Sequence, residues 1–138
     1  MKMAPEAGTR KIDPLEVIVV TKLSKYEWDI RKKGLDHDRL MEKYTNNGED
    51  AESIYQSHLR QQGNLLTLKK HLHEEQFVTA EKFTKDIAVK AGMVVAFGGD
   101  DHFKYASHFI DDTLIMGVNS DPVLSEGALT YFTASEFE

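Results

Sequence analysis

The chain contains no cysteine. This absence excludes disulfide bonds, catalysis by a thiolate and zinc sites built on cysteine. Long apolar runs are missing too, and none approaches the roughly 18 residues that a membrane-spanning helix needs. Residues 1–10 lack the apolar region of a secretory signal. We therefore expect no membrane partner and a cytoplasmic protein, with a mitochondrial location left open.

Positive charge is also scarce. Lysine and arginine total 17 against 23 aspartates and glutamates, which gives a formal net charge of −6. Nucleic-acid-binding proteins usually present a basic face, so we expect no nucleic-acid partner. The hydrophobic content of 41% and the charged content of 29% are typical of a globular protein. A chain of 138 residues is long enough for one domain with its own core.

The usual signatures of phosphate and metal sites are absent as well. Neither the P-loop pattern G-x-x-x-x-G-K-[ST] nor the dinucleotide pattern G-x-G-x-x-G occurs. The six histidines include no pair at the i, i+4 spacing of zinc-binding helices. We predict no metal site made by histidines.

What the sequence does contain is an alternation of strand and helix patterns. Strands are predicted at Leu15–Val20, Leu65–Leu68, Met93–Phe97 and Thr113–Val118. Helices are predicted at Ser24–Lys33, after a cap at Asp36, from Ala51 to a C-terminal cap at Gly63, and from Thr79 to Ala91. This order predicts an α/β fold, a three-layer Rossmann-like parallel sheet with helices on both faces. The expected division is a flexible arm at 1–14, an α/β domain at 15–122 and an extension at 123–138.

The strand Met93–Phe97 runs directly into Gly98-Gly99-Asp100-Asp101. A strand that delivers a glycine turn to a helix start can present backbone N–H groups to a phosphate. Asp100 could then accept a proton from a substrate hydroxyl. The alternative is a tight structural turn with Asp101 as the N-cap of the helix.

A second polar cluster, Asn119-Ser120-Asp121, follows the strand at Thr113–Val118. Because the carboxyl ends of parallel strands meet at one edge, this cluster and Gly98–Asp101 are expected to lie together. Asn119 could contact a nucleotide there. The alternative is an ordinary turn, which the sequence Asn-Ser-Asp-Pro favours.

Together these segments resemble the NAD kinase family. The family has a G-G-D-G-T loop, a helix, and an apolar strand that ends in G-V-N, and this chain has Gly98-Gly99-Asp100 followed by Gly117-Val118-Asn119. Its mitochondrial-type branch has an N-x-D-P-x-x-S-E-G segment, similar to the run from Asn119 to Gly127. The opening Val17-Ile-Val-Val-Thr-Lys22 followed by Tyr26-Glu27 is also similar to that branch.

The resemblance implies transfer of a phosphoryl group from ATP to the 2′-hydroxyl of the adenosine ribose of NAD, with Mg²⁺ on the phosphates. Asp100 would be the general base. The implied nucleotide-binding residues are Gly98, Gly99, Asp101, His102, Asn119, Ser120 and Asp121. Family members are oligomers and carry a further β domain, so we expect self-association of the complete protein and regard this chain as the N-terminal part of the enzyme.

Two positions depart from the family pattern. Asp101 stands where the family has glycine, and His102 stands where it has threonine. A carboxylate beside phosphates is repulsive unless a cation screens it. Two alternatives to NAD phosphorylation therefore stay open: a nucleotide-binding or regulatory module without catalysis, and a phosphotransferase related to the lipid kinases, which share a similar glycine-aspartate loop.

Overall fold

A computed structural model of the chain describes residues 13–123 and the short strand Phe132–Thr133. Residues 1–12 of the predicted arm, Ser125-Glu126-Gly127 and most of the predicted extension lie outside the described residues. The elements follow in the order β1 (Val17–Thr21), α1 (Lys25–Lys33), α2 (His37–Asn46), α3 (Ala51–Lys69), β2 (Phe77–Thr79), α4 (Lys85–Lys90), β3 (Met93–Gly98), α5 (Asp100–Ser107), β4 (Leu114–Asn119) and β5 (Phe132–Thr133).

The strands form one parallel sheet in the order β2-β1-β3-β4-β5. All six residues of β3 are buried, as expected for a central strand covered on both faces. Leu65 and Leu68 of α3 pack on one face of the sheet, and Ala88 of α4 and Ala106 of α5 pack on the other. The predicted three-layer α/β fold is therefore confirmed.

Helices α1, α2 and α3 share a smaller apolar cluster beside the sheet. Tyr26, Leu40 and Tyr44 are buried at its centre. Ser24 and Asp36 cap α1 and α2 by accepting hydrogen bonds from backbone N–H groups, and the cap at Asp36 is the one that the sequence predicts. Among the described residues, no helix is both long enough and apolar enough to cross a membrane.

Three of the predicted elements are wrong or misplaced. The strand predicted at Leu65–Leu68 is helical, because α3 passes through Gly63 and ends only at Lys69. Glycine costs about 1 kcal/mol inside a helix. That cost is outweighed here, because Leu65 and Leu68 continue the buried face of α3 at helical spacing. The second strand of the sheet is instead Phe77–Thr79.

The helix predicted from Thr79 to Ala91 is much shorter than expected. Thr79 ends β2, and α4 begins only after the side chain of Thr84 accepts a hydrogen bond from the backbone of Ile87. Phe83 is buried, although it lies in the connection before α4. The first strand is also displaced, because Pro14–Glu16 forms a 3₁₀ turn and leaves Leu15 65% exposed.

Replacing Gly63 with alanine is expected to raise the free energy of unfolding by about 1 kcal/mol. Gly63 lies within α3, and a Cβ atom there would have no neighbour within 4 Å. Gly34→Ala is the matched control, because Gly34 ends α1 with φ of 64° and alanine is strained there. Urea unfolding should give a higher free energy of unfolding for Gly63→Ala than for the parent, and a lower one for Gly34→Ala. A loss of stability in Gly63→Ala would contradict a continuous α3.

Candidate functional site

The carboxyl ends of β1, β3 and β4 form one edge of the sheet. Gly98 and Asn119 are partners in the register of β3 and β4, and the N–H of Ser120 donates to the carbonyl of Gly98 at 3.1 Å. The prediction that the two polar segments share an edge is confirmed. The chain adds β2 on one side of β1 and β3 on the other. Ligands of such sheets bind where the direction of winding changes, which here is between β1 and β3.

A cleft of about 170 Å³ opens at this edge, and we call it the edge cleft. Residues that follow the ends of β1, β3 and β4 line this cleft together with two residues of α3. They are Lys22 after β1, Gly99 after β3, Asn119, Ser120 and Asp121 at and after the end of β4, and Ser57 and Gln61 of α3. The structure therefore places four of the predicted site residues around one opening and adds a lysine to them.

The two glycines of the turn have different surroundings. A Cβ atom on Gly98 would lie 2.8 Å from Cδ2 of His102 and 3.0 Å from its Cβ. A Cβ atom on Gly99 would meet nothing within 4 Å. Gly98 therefore makes room for a side chain of the protein itself. Gly99, which precedes α5 and has no side chain to cap the helix, leaves open space in the edge cleft.

His102 is buried, with 5% of its surface exposed. Its Nε2–H donates to the carbonyl of Val20 at 2.8 Å, so the ring ties α5 to the end of β1. Burial lowers the pKa of His102, and the positive charge of Lys22 lowers it further, against the opposing effect of the Val20 carbonyl. The ring does not line the edge cleft. Its contacts in the structure are internal ones.

The two aspartates of the loop occupy the first turn of α5. Asp100 is half-buried and Asp101 is exposed. Neither lines the edge cleft. Asp101 is not the N-cap of the helix, because that position belongs to Gly99.

After β4 the chain makes a tight turn that is closed by a side chain. Oδ1 of Asn119 accepts a hydrogen bond from the N–H of Asp121 at 2.9 Å. Asn119, Ser120 and Asp121 are all buried, although they are polar. Buried polar groups need hydrogen-bond partners. The alternative interpretation of this segment as a structural turn is therefore correct for its backbone, and the turn also forms one wall of the edge cleft.

Helix α3 supplies the partners of this turn. Arg60 donates to both oxygens of Asp121, at 2.8 and 3.2 Å, and Oγ of Ser57 donates to the same carboxylate. Asn64 donates to the carbonyl of Ser120 at 2.9 Å. The sequence interpretation placed Ser57 and Arg60 in a helix without a role, and it missed Asn64 because it ended that helix at Gly63. The signal was a polar stripe at positions 57, 60, 61 and 64, which share one helical face.

The ion pair of Arg60 and Asp121 sets the charge of the turn. Burial alone would raise the pKa of Asp121, but the hydrogen bonds from Arg60 and Ser57 overcome that effect and lower it. The same pair raises the pKa of the Arg60 guanidinium. The carboxylate of Asp121 is thus bound by Ser57 and Arg60 of α3, and it acts as a clamp that fixes the turn after β4 to that helix.

Asp121→Asn is expected to lower the free energy of unfolding by about 2 kcal/mol at neutral pH, because hydrogen bonds to charged groups contribute about 1.5–3 kcal/mol. The pKa of Asp121 is lowered in the folded protein. Its stabilisation is therefore complete above the unfolded-state value of about 3.9 and is lost as the pH falls below it. Urea unfolding at neutral pH and in acid should show the variant and the parent converging in acid.

Asp36→Asn is the control for this substitution. Asp36 caps α2 at the surface, and asparagine caps helices equally well, so the change should stay below about 0.5 kcal/mol. An equal loss in both variants, or a loss in Asp121→Asn that does not depend on pH, would contradict the clamp.

Residues 13–123 contain no group of three or more histidine, aspartate or glutamate side chains that could hold a metal ion. Magnesium does not need such a group, because it usually keeps several waters and binds through one or two carboxylates and the phosphates of a nucleotide. Asp100 and Asp101 supply carboxylates beside the glycine turn. The residues present therefore fit an ion that arrives with its phosphates.

Comparison with known proteins shows a weak relationship to an NAD kinase. The chain is 26% identical over 135 residues to NAD kinase 2, mitochondrial, of Xenopus tropicalis. The match covers 84% of this chain and 29% of that protein, so the chain spans less than a third of the relative's length. No family model matches the chain. The similarity agrees with the resemblance of the sequence motifs, and it supports a relationship to kinases at a general level.

Proposed function

We propose that this chain is the phosphate-binding part of an NAD-kinase-type phosphotransferase. The observation that carries the proposal is the edge cleft. It brings together Lys22, the open position at Gly99 and the buried turn at Asn119, beside the point between β1 and β3 where the direction of winding changes. The similarity to NAD kinase 2 over most of this chain supports the same conclusion.

The chemistry would proceed by a single transfer. Asp100 takes the proton of the 2′-hydroxyl of the adenosine ribose of NAD, and the ribose oxygen forms a bond to the γ-phosphorus of ATP. The bond from that phosphorus to the β,γ-bridging oxygen breaks, and ADP and NADP are the products. Such transfers depend mainly on positioning and on charge stabilisation. Lys22 and the backbone at Gly99 would stabilise the phosphates, and Asp101 would hold Mg²⁺ with them.

A second candidate function is a nucleotide-binding module without catalysis. The observation that favours it is the packing of His102, which fills the space beside Gly98 and bonds to Val20. At Gly98, the ring of His102 therefore fills the space that a phosphate would need. A loop of this kind can still bind a nucleotide through Gly99.

Incubation of the protein with Mg-ATP and NAD tests both candidates. The phosphotransferase should form NADP, measured by an NADP-specific dehydrogenase, and ATP binding should be seen by calorimetry. ATP binding without NADP would favour the module. Phosphorylation of a diacylglycerol or sphingosine in place of NAD would favour the lipid-kinase alternative. Absence of both binding and product would contradict the proposal.

Self-association and location belong to the same proposal. We expect the complete protein to form homo-oligomers, which sedimentation of the purified full-length protein would test. The relative's name includes a mitochondrial location, and our expectation for this protein is the cytoplasm with the mitochondrion left open. Microscopy of the tagged protein in its own cells decides between the two compartments.

A further inference from the structure

A second and larger cleft lies beside the edge cleft. Its volume is about 640 Å³, and it opens between α1, the end of β2 and α5. Lys22 lines both clefts, so they meet at the carboxyl end of β1. Volumes of about 300–1,000 Å³ are usual for sites that hold a small organic ligand. We call this space the aromatic cleft.

Two exposed aromatic rings line the aromatic cleft. Trp28 of α1 is 49% exposed and Tyr105 of α5 is 44% exposed. Tyr105 is held in place, because its hydroxyl donates to the carbonyl of Ala80 at 3.2 Å and its ring packs edge-on against Phe109 at 5.3 Å. Large aromatic rings are costly to leave in water, and a fixed one is a prepared surface for stacking.

The two lysines that line the aromatic cleft differ in their ion pairs. Lys25 is paired with Asp29 at 3.2 Å and with Glu49 at 3.6 Å. Lys22 takes part in no ion pair within the described part of the chain, and it stands where the aromatic cleft joins the edge cleft. Glu81 is an exposed residue of the same lining, and its carboxylate can accept a hydrogen bond.

We infer that the aromatic cleft holds the base of an adenine nucleotide whose phosphates pass over Lys22 into the edge cleft. The rings of Trp28 and Tyr105 stack on the base, and Glu81 accepts a hydrogen bond from its exocyclic amine. Lys22 neutralises the phosphates at the junction, and Gly99 lets them approach the backbone. This inference rests on the proposed function and assigns the nucleotide's base to a part of the surface that the edge cleft does not include.

Trp28 makes the inference directly measurable, because it is the single tryptophan of the sequence. Titration of the chain with ATP should quench its fluorescence, and tripolyphosphate, which has no base, should bind without quenching. Calorimetry measures both affinities independently of the fluorescence. Binding of ATP without any change in Trp28 fluorescence would overturn the inference.

Variants separate the base from the phosphates. Tyr105→Ala should weaken ATP about tenfold, as expected for loss of one stacking partner, and leave tripolyphosphate unchanged. Tyr105→Phe keeps the ring and should bind ATP within about threefold of the parent. Lys22→Gln should weaken ATP and tripolyphosphate alike. Circular dichroism confirms that each variant is folded.

The outcomes distinguish the inference from the proposed function. If ATP binds with the same affinity to the parent and to Tyr105→Ala, the base lies elsewhere and the proposed function still stands. If neither ATP nor NAD binds the parent chain, the proposed function fails and this inference fails with it. Quenching by ATP that needs about tenfold more ATP in Tyr105→Ala, in a protein that forms no NADP, supports the inference and contradicts only the catalytic part of the proposed function.

Discussion

Gly98→Val is expected to lower the free energy of unfolding by about 3 kcal/mol, at the upper end of the cost of overpacking. The Cβ atom would lie 2.8 Å from Cδ2 of His102, and the two further carbons of valine have no free space beside a buried strand. His102 cannot move away cheaply, because its ring is buried and its Nε2–H bonds to the carbonyl of Val20.

Gly99→Ala is the matched control, one residue further along. Its Cβ would meet nothing within 4 Å, and its φ of −103° suits any residue, so stability should change by less than about 0.5 kcal/mol. The same variant should bind ATP more weakly, because its methyl group enters the edge cleft. Urea unfolding and calorimetry measure the two effects. Equal loss of stability in both variants would contradict the division of the turn into a structural and an open glycine.

A second substitution tests the cause of the Gly98 effect. His102→Ala removes the ring atoms that stand nearest to the new side chain. The variant is itself destabilised, since the Val20 carbonyl loses its partner. In that background, Gly98→Ala should cost less than it does in the parent, with a coupling of about 0.5–3 kcal/mol in a double-mutant cycle. Simple additivity would mean that His102 is not what excludes a side chain at Gly98.

The sequence predicts the centre of this protein well, for a physical reason. A strand buried on both faces must be apolar throughout, and Met93–Phe97 is such a run with a glycine turn directly after it. The run at Thr113–Val118 has the same character on its inner residues. Parallel strands end at one edge, so the placement of Gly98 and Asn119 at the same edge follows from the strand assignments, and the structure adds that they are direct neighbours.

The region between β1 and β3 is predicted less well, because local signals there conflict with packing. Gly63 is a typical C-cap in sequence, and leucines at 65, 66 and 68 fit a strand as well as a helix. Burial of Leu68 in the main core decides for the helix. The error also concealed Asn64, and no local signal connected Arg60, inside the predicted helix, with a partner. The partners of Arg60 and Asn64 lie in the turn after β4, 61 and 56 residues away in the chain.

The candidate site shows the same limit on a smaller scale. The sequence predicts that Gly98 and Gly99 are alike, whereas the structure gives Gly98 to His102 and leaves Gly99 open. In sequence, Lys22 is only the residue after a strand and has no signal of a binding role, yet the winding of the sheet places it at the junction of the two clefts. Residue type identifies candidates for phosphate contact, and only the arrangement of the strands shows which of them share an opening.

Asp100→Asn is expected to reduce NADP formation by at least about a hundredfold, the usual contribution of a general base. Asparagine has nearly the same shape as aspartate but does not accept the proton of the ribose 2′-hydroxyl. The KM values for ATP and NAD should change little, because the substitution removes a group that acts in the transition state. The measurement is steady-state NADP formation, with urea unfolding to confirm that α5 is intact.

Asp101→Asn is the control for this prediction, since it makes the same chemical change at the next position of the same helical turn. Asp101 is exposed, and its loss should alter kcat by no more than about threefold if its part is limited to the ion that accompanies the phosphates. A large loss in Asp100→Asn alone identifies the base. Turnover like that of the parent in Asp100→Asn would remove the assignment, and equal losses in both variants would indicate that the loop needs its total negative charge and contains no single base.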